Sequence, residues 1–137
     1  MSHFTKLAKA NITSANAFAK AAEELGLKVS LNSPAVSYHG RNKIDNADVV
    51  IHMIEGDDIA LTKNDETGFF DMQADWGYMG QAMVAKTKFK NIGDLQDRLI
   101  QLTTKNTIVD KYRREGWRAE FSDAQNGDLN LKLSRAD

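Results

Sequence analysis

The apolar residues of this chain change spacing along its length, from a helical period to alternation, to a second helical stretch and back to alternation, and that order limits the folds open to it. Ala15, Phe18, Ala19, Ala22 and Leu25 fall on one helical stripe. Thr13 or Ser14 stands before the stripe as an N-cap, and Gly26 stands after it where a left-handed stop is expected. Over residues 28–76 the pattern becomes short apolar runs at 29–38, 47–54, 58–63 and 69–76, read as four strands. Glu55-Gly56-Asp57 and Asn64-Asp65-Glu66-Thr67-Gly68 are hairpin-length connections rich in residues that tolerate positive φ, so neighbouring strands are expected to pair antiparallel. In the last run Phe70, Met72, Ala74 and Trp76 share one face, and Phe69, Asp71, Gln73 and Asp75 share the other, wetter one. Pro34, the single proline, marks an edge position or a bend in its strand.

Gly77-Tyr78-Met79-Gly80 breaks the alternation, and Asn91 and Asp94 then offer a cap and an N-terminal acid for a second helix. Its expected buried stripe is Ile92, Leu95, Leu99, Leu102, Val109 and Tyr112, and Gly116 its stop. Thr103-Thr104-Lys105-Asn106-Thr107 is a run of poor helix formers, the place where a bend or interruption is expected. Trp117, Ala119 and Phe121 alternate, Asn126-Gly127 follows, and Leu129, Leu131 and Leu133 alternate again, the pattern of a hairpin. With a first strand near His3 the order is β-α-β-β-β-β-α-β-β in one domain spanning residues 1–137. This predicts an α+β fold, a mainly antiparallel sheet with two helices on one face, ferredoxin-like or related. Phe18, Leu25, Ile51, Leu95, Leu99 and Leu131 are expected to share its core.

A chain of 137 residues buries about 68% of its unfolded surface, enough for a single core without staples. None are available in any case, because the absence of cysteine excludes disulfides, thiolate metal sites and a cysteine nucleophile. Residues 1–6 lack the apolar run of a signal peptide and no stretch approaches a membrane span, so the expected location is cytoplasmic, or plastid stroma, with no membrane partner. The Asn11-Ile12-Thr13 sequon would then go unused. Net charge is −1, but residues 44–85 hold nine acids against Lys63 alone, and residues 86–118 hold nine bases against four acids. Acidic hairpins and a basic helix that face each other or simply solvate the surface explain this split; a polarised surface that steers a charged partner explains it too.

Chemistry-bearing patterns are sparse. His3, His39 and His52 include no pair at helical metal-ligand spacing, and His52, alternating within its strand, reads as a satisfied half-buried residue. Asp57-Asp58 and Asp71 with Asp75 are the carboxylate sets considered for acid–base work, and residues 65–68 lack the acid spacing of a calcium loop. No phosphate-binding glycine loop and no nucleophile elbow occurs, and Phe69-Phe70 lacks the basic and glycine neighbours of an RNA-binding strand. No cofactor and no metal is therefore expected. The local cluster to examine is Tyr38-His39-Gly40 with Asp75-Trp76, where aromatics beside an acid at strand ends could form a recognition patch; equally, Trp76 could continue the core face and Asp75 cap the Gly77 turn.

The opening Met1-Ser2-His3-Phe4, then Tyr38-His39-Gly40, Ala47-Asp48-Val49-Val50-Ile51, Asp58-Ile59, Ala74-Asp75, Gly116-Trp117 and Asn126-Gly127 stand in an order and spacing that resembles the plastid conserved reading frame thirty-five family. The resemblance runs end to end and departs at Thr104-Lys105-Asn106-Thr107 and at residues 77–80. It implies a cyanobacterial, algal-plastid or cyanophage source and an accessory protein; it brings no activity, cofactor or catalytic residue. The expected function is thus a small non-enzymatic accessory module that binds another protein. Two alternatives stand beside it. One is a nucleic-acid-associated protein using Lys86, Lys88, Lys90, Lys105, Lys111, Arg113 and Arg114; the other is an enzyme using Asp75, Tyr38 or His39.

Overall fold

The computed structural model describes residues 4–7, 11–37, 42–54, 57–77, 79, 89–123 and 129–135, and its elements follow the order expected from the periodicity. They are β1 (Thr5–Lys6), α1 (Ala15–Glu24), β2 (Lys28–Ser37), β3 (Asn42–Ile54), β4 (Asp57–Lys63), β5 (Phe70–Ala74), α2 (Ile92–Arg114), β6 (Trp117–Asp123) and β7 (Leu129–Arg135). The class is α+β.

Both helices start and stop on the residues that the capping rules select. Ser14 Oγ accepts the Ala17 N–H at 3.1 Å. At the other end of α1, Gly26 adopts φ 79° and donates to Glu23 O, while Leu27 donates to Ala22 O, the paired bonds of a Schellman stop. α2 opens with Asn91 Oδ1 accepting the Asp94 N–H at 2.8 Å, and the Gly116 N–H reaches Arg113 O at 3.1 Å. Asp94 in the first turn and Lys111, Arg113 and Arg114 in the last complement the helix dipole.

The interruption expected at Thr103 to Thr107 is not there: α2 runs as one helix for 23 residues, about 35 Å. Thr103 and Thr107 bond their hydroxyls to the carbonyls one turn back, Leu99 O and Thr103 O. Asn106, only 3% exposed, donates from Nδ2 to Ala17 O of α1 at 3.3 Å. The polar run is therefore the seam against α1, whose Ala17 and Ala21 are fully buried yet lie outside the sheet-facing cluster. Tertiary contact overrides propensity here. The fully buried stripe of α2 is accordingly Leu95, Leu99, Thr103, Asn106 and Val109, with Leu102 and Tyr112 only partly covered.

The main sheet has the order β1-β5-β4-β3-β2, with every pairing antiparallel. The helices cover one of its faces. Val49, Ile51, Ile59, Leu61, Met72 and Ala74 are fully buried there, together with Phe18, Ala22, Leu95 and Leu99. Each large side chain so buried stabilises by roughly 1.5–3 kcal/mol. Phe70 and Trp76 pack on the same cluster, as the alternation predicts.

The opposite face has a different cover. Between Ser33 and Ala35 the β2–β3 register shifts, Asn32 takes φ 48°, and Pro34 sits inside the shift on the edge strand. Beyond this bulge Ala35 and Ile44 pack on Val50 and Ala60, with Ala47 and Phe4, as a second small core. The Val36 N–H donates to Asp58 Oδ2 at 2.9 Å across the intervening strand. The far end of the β2–β3 hairpin is thus folded over the helix-free face.

One core assignment is corrected. Leu131 was expected beside Phe18, Leu25, Ile51, Leu95 and Leu99; those five are buried in one cluster, but Leu131 is 39% exposed. The reason is that β6 and β7 form their own two-stranded sheet. β6 lies on α2 and buries Ala119, while β7 is the outer strand, with Leu131 opposite Phe121 and the Arg135 guanidinium 5.1 Å from the Trp117 ring. Asn126-Gly127 lies outside the described residues. No helix among the described residues is long and apolar enough to cross a membrane.

Candidate functional site

Alternation along the three neighbouring strands β2, β3 and β4 puts Ser30, His52 and Asp58 on the helix-free face, with His52 directly opposite Asp58 in register. Ser30 Oγ lies 2.8 Å from His52 Nε2, and His52 Nδ1 lies 3.1 Å from Asp58 Oδ1. Asp58 is 5% exposed, and its other oxygen accepts the Val36 N–H of the folded-over hairpin. His52 keeps 36% of its side chain exposed, and Ser30 is half-buried. The row is continuous: serine hydroxyl, imidazole, buried carboxylate, backbone amide. His52 is half-buried and satisfied, as its place in the strand suggested. Its partners were not legible, because they come from positions 22 and 6 residues away in the chain.

A second feature lies on the helical side. Residues 11–14 run beside α2, and between them opens a cleft of about 300 Å³ lined by Ile12, Thr13, Ile100, Thr104, Thr107 and Ile108. It adjoins a second cleft of about 320 Å³, which shares Thr13 and Thr107 and reaches Ser14, Asp110, Lys111 and Arg114 at the end of α2. Together they make one furrow, apolar and hydroxyl-bearing at one end and charged at the other. Each part is at the lower end of the size of ligand-binding clefts. The sequence hid it because the lining threonines belong to the run read as a helix defect.

Of the residues expected to form a site, Tyr38, His39 and Gly40 lie outside the described residues. Asp75, just past the end of β5, is 8% exposed rather than wet as expected, and its carbonyl accepts the Met79 N–H at 3.0 Å. Trp76 is half-buried and packs on the main core. Among the described residues no three histidine or carboxylate side chains stand close enough to hold a metal ion.

The bases of α2 do not form one free stripe. Lys105 pairs with Glu24 at 3.8 Å, and Arg98 pairs with Asp94 and lies over the Phe89 ring. Lys90, Lys111, Arg113 and Arg114 are exposed; Lys86 and Lys88 lie outside the described residues. Ion pairs among the described residues are Lys6–Asp71, Lys43–Asp45, His52–Asp58, Arg98–Asp94 and Lys105–Glu24, so none links the acidic hairpins to the basic helix. No family model, curated protein or solved structure matches the chain.

Proposed function

We propose that this chain is a small protein-interaction module, and that the furrow between α2 and residues 11–14 is its docking site. The carrying observation is the furrow's two-part lining. Ile100 and Ile108 give it apolar walls, threonine hydroxyls offer hydrogen bonds to a guest backbone, and Lys111 and Arg114 stand at one end. Arg114 makes no ion pair among the described residues, whereas Lys105 is already engaged. The occupant that matches is an extended segment of a partner protein with small apolar side chains and an acidic group at the Arg114 end. Under this reading the chain is an accessory protein of the plastid conserved reading frame thirty-five family, working in a photosynthetic cell or its virus. A nucleic-acid partner fits less well, because Asp110 and Glu115 interrupt the bases at that end of α2.

The test is a random-peptide library panned on the immobilised protein, with enriched peptides measured by fluorescence polarisation. Thr104 is exposed on the furrow and makes no side-chain hydrogen bond among the described residues, so Thr104→Arg fills the cleft without disturbing the core. It is expected to weaken enriched peptides by tenfold or more, and Arg114→Glu is expected to weaken the acidic ones selectively. Peptides that bind wild type and Thr104→Arg equally would place docking elsewhere. Binding to random single-stranded DNA that falls steeply with salt would move the reading to nucleic acid.

A further inference from the structure

We infer that Ser30 is a base-activated nucleophile that accepts the acyl group of a small ester, with His52 as its general base and Asp58 as the residue that positions the imidazole. This stands apart from the docking furrow and would add an activity to it.

The geometry of the row carries the inference. An ionised carboxylate only accepts, so Asp58 Oδ1 at 3.1 Å takes the proton of His52 Nδ1. In neutral imidazole that leaves Nε2 as a lone-pair acceptor. In that tautomer the Ser30 hydroxyl at 2.8 Å donates to Nε2, which is the direction a nucleophile needs to pass its proton to a base. Asp58 is held in turn, because burial and the Val36 N–H at 2.9 Å fix its carboxylate against rotation. Such a constellation is recognised by geometry and roles, not by chain order.

Access is also present. β2 is an edge strand, Ser30 is half-buried, and His52 is 36% exposed, so the row borders solvent. The register places exposed Lys28 directly opposite His52, bringing a cation to the same face. The chemistry balances without a further reagent. Ser30 Oγ bonds to the ester carbonyl carbon as its proton moves to His52 Nε2, giving an oxyanion. Collapse breaks the bond to the alcohol oxygen, which leaves with that proton. Water then attacks the acyl-serine and gives a proton to His52; Ser30 departs from the carbon, recovers the proton, and the carboxylic acid is released.

The experiment uses the whole chain with a fluorophosphonate probe, reading the adduct by mass spectrometry, and p-nitrophenyl acetate as the acyl donor. One adduct located on Ser30 is expected, absent in Ser30→Ala and formed at least 100-fold more slowly in His52→Gln. Asp58→Asn keeps an acceptor for the Val36 N–H. It is expected to slow labelling and, by nitrogen-15 NMR, to lose the Nδ1-protonated tautomer of His52, a readout that a merely structural role would not couple to labelling. If Asp58→Asn does not fold, His52→Gln carries the test, with circular dichroism as the control. Labelling is read with no peptide present, so a failure of the docking furrow leaves this result standing. No adduct on Ser30 in the folded protein, or equal rates in wild type and His52→Gln, overturns the inference and leaves the row as a structural ladder.

Discussion

Leu99 and Ser37 are both fully buried, and burial has opposite consequences for them. Leu99 lies in α2 against the sheet-facing cluster, and Leu99→Ala is expected to lower stability by about 2–5 kcal/mol in urea unfolding. A loss below about 0.5 kcal/mol would contradict its position. Ser37 near the hairpin end buries a hydroxyl with no hydrogen-bond partner among the described residues, so Ser37→Ala is expected to leave stability unchanged or raise it by up to about 1 kcal/mol. The first burial was legible, because helical spacing marks Leu99 as inward. The second was not, since alternation along β2 says nothing about a hairpin folding back over its own sheet. The same limit hid the candidate site. His52 could be placed on a face, but Ser30 and Asp58 reach it only through the register of β2, β3 and β4.

Elements were legible where local chemistry decides them. Ser14, Gly26, Asn91 and Gly116 frame α1 and α2 as capping rules predict, because a cap depends on residues within one turn. The middle of α2 misled for the converse reason. Thr103 and Asn106 are poor helix formers taken alone, yet they face α1 at the contact where Asn106 Nδ2 meets Ala17 O. If that bond organises the seam, Asn106→Ala should destabilise the protein by about 1–2 kcal/mol, although alanine is the better helix former. A gain in thermal or urea stability on that substitution would show that helix propensity outweighs the interhelical bond.

At the scale of the whole molecule, cohesion is uneven. The five-stranded sheet has both faces engaged, one by α1 and α2 and the other by the folded-over end of the β2–β3 hairpin. The β6–β7 ribbon meets the rest of the protein mainly through β6 on α2, and Leu131 and Leu133 on its outer strand stay more than a third exposed. The alternation of 129–133 fixed which leucines share a face, but not whether anything covers that face. Local opening free energy follows the buried contacts that must be broken, so the ribbon should open without the sheet. Native-state hydrogen exchange is therefore expected to show two tiers. Amides of β3 and β4 around Val50, Ile51 and Ala60 should exchange only through global unfolding. Amides pairing β6 with β7, such as those of Phe121 and Leu131, should exchange through a sub-global opening several kcal/mol lower and nearly independent of denaturant. Protection of Leu131 equal to that of Ile51 would mean that the ribbon belongs to the same cooperative unit, and that the exposed face of β7 is held by contacts stronger than its burial implies.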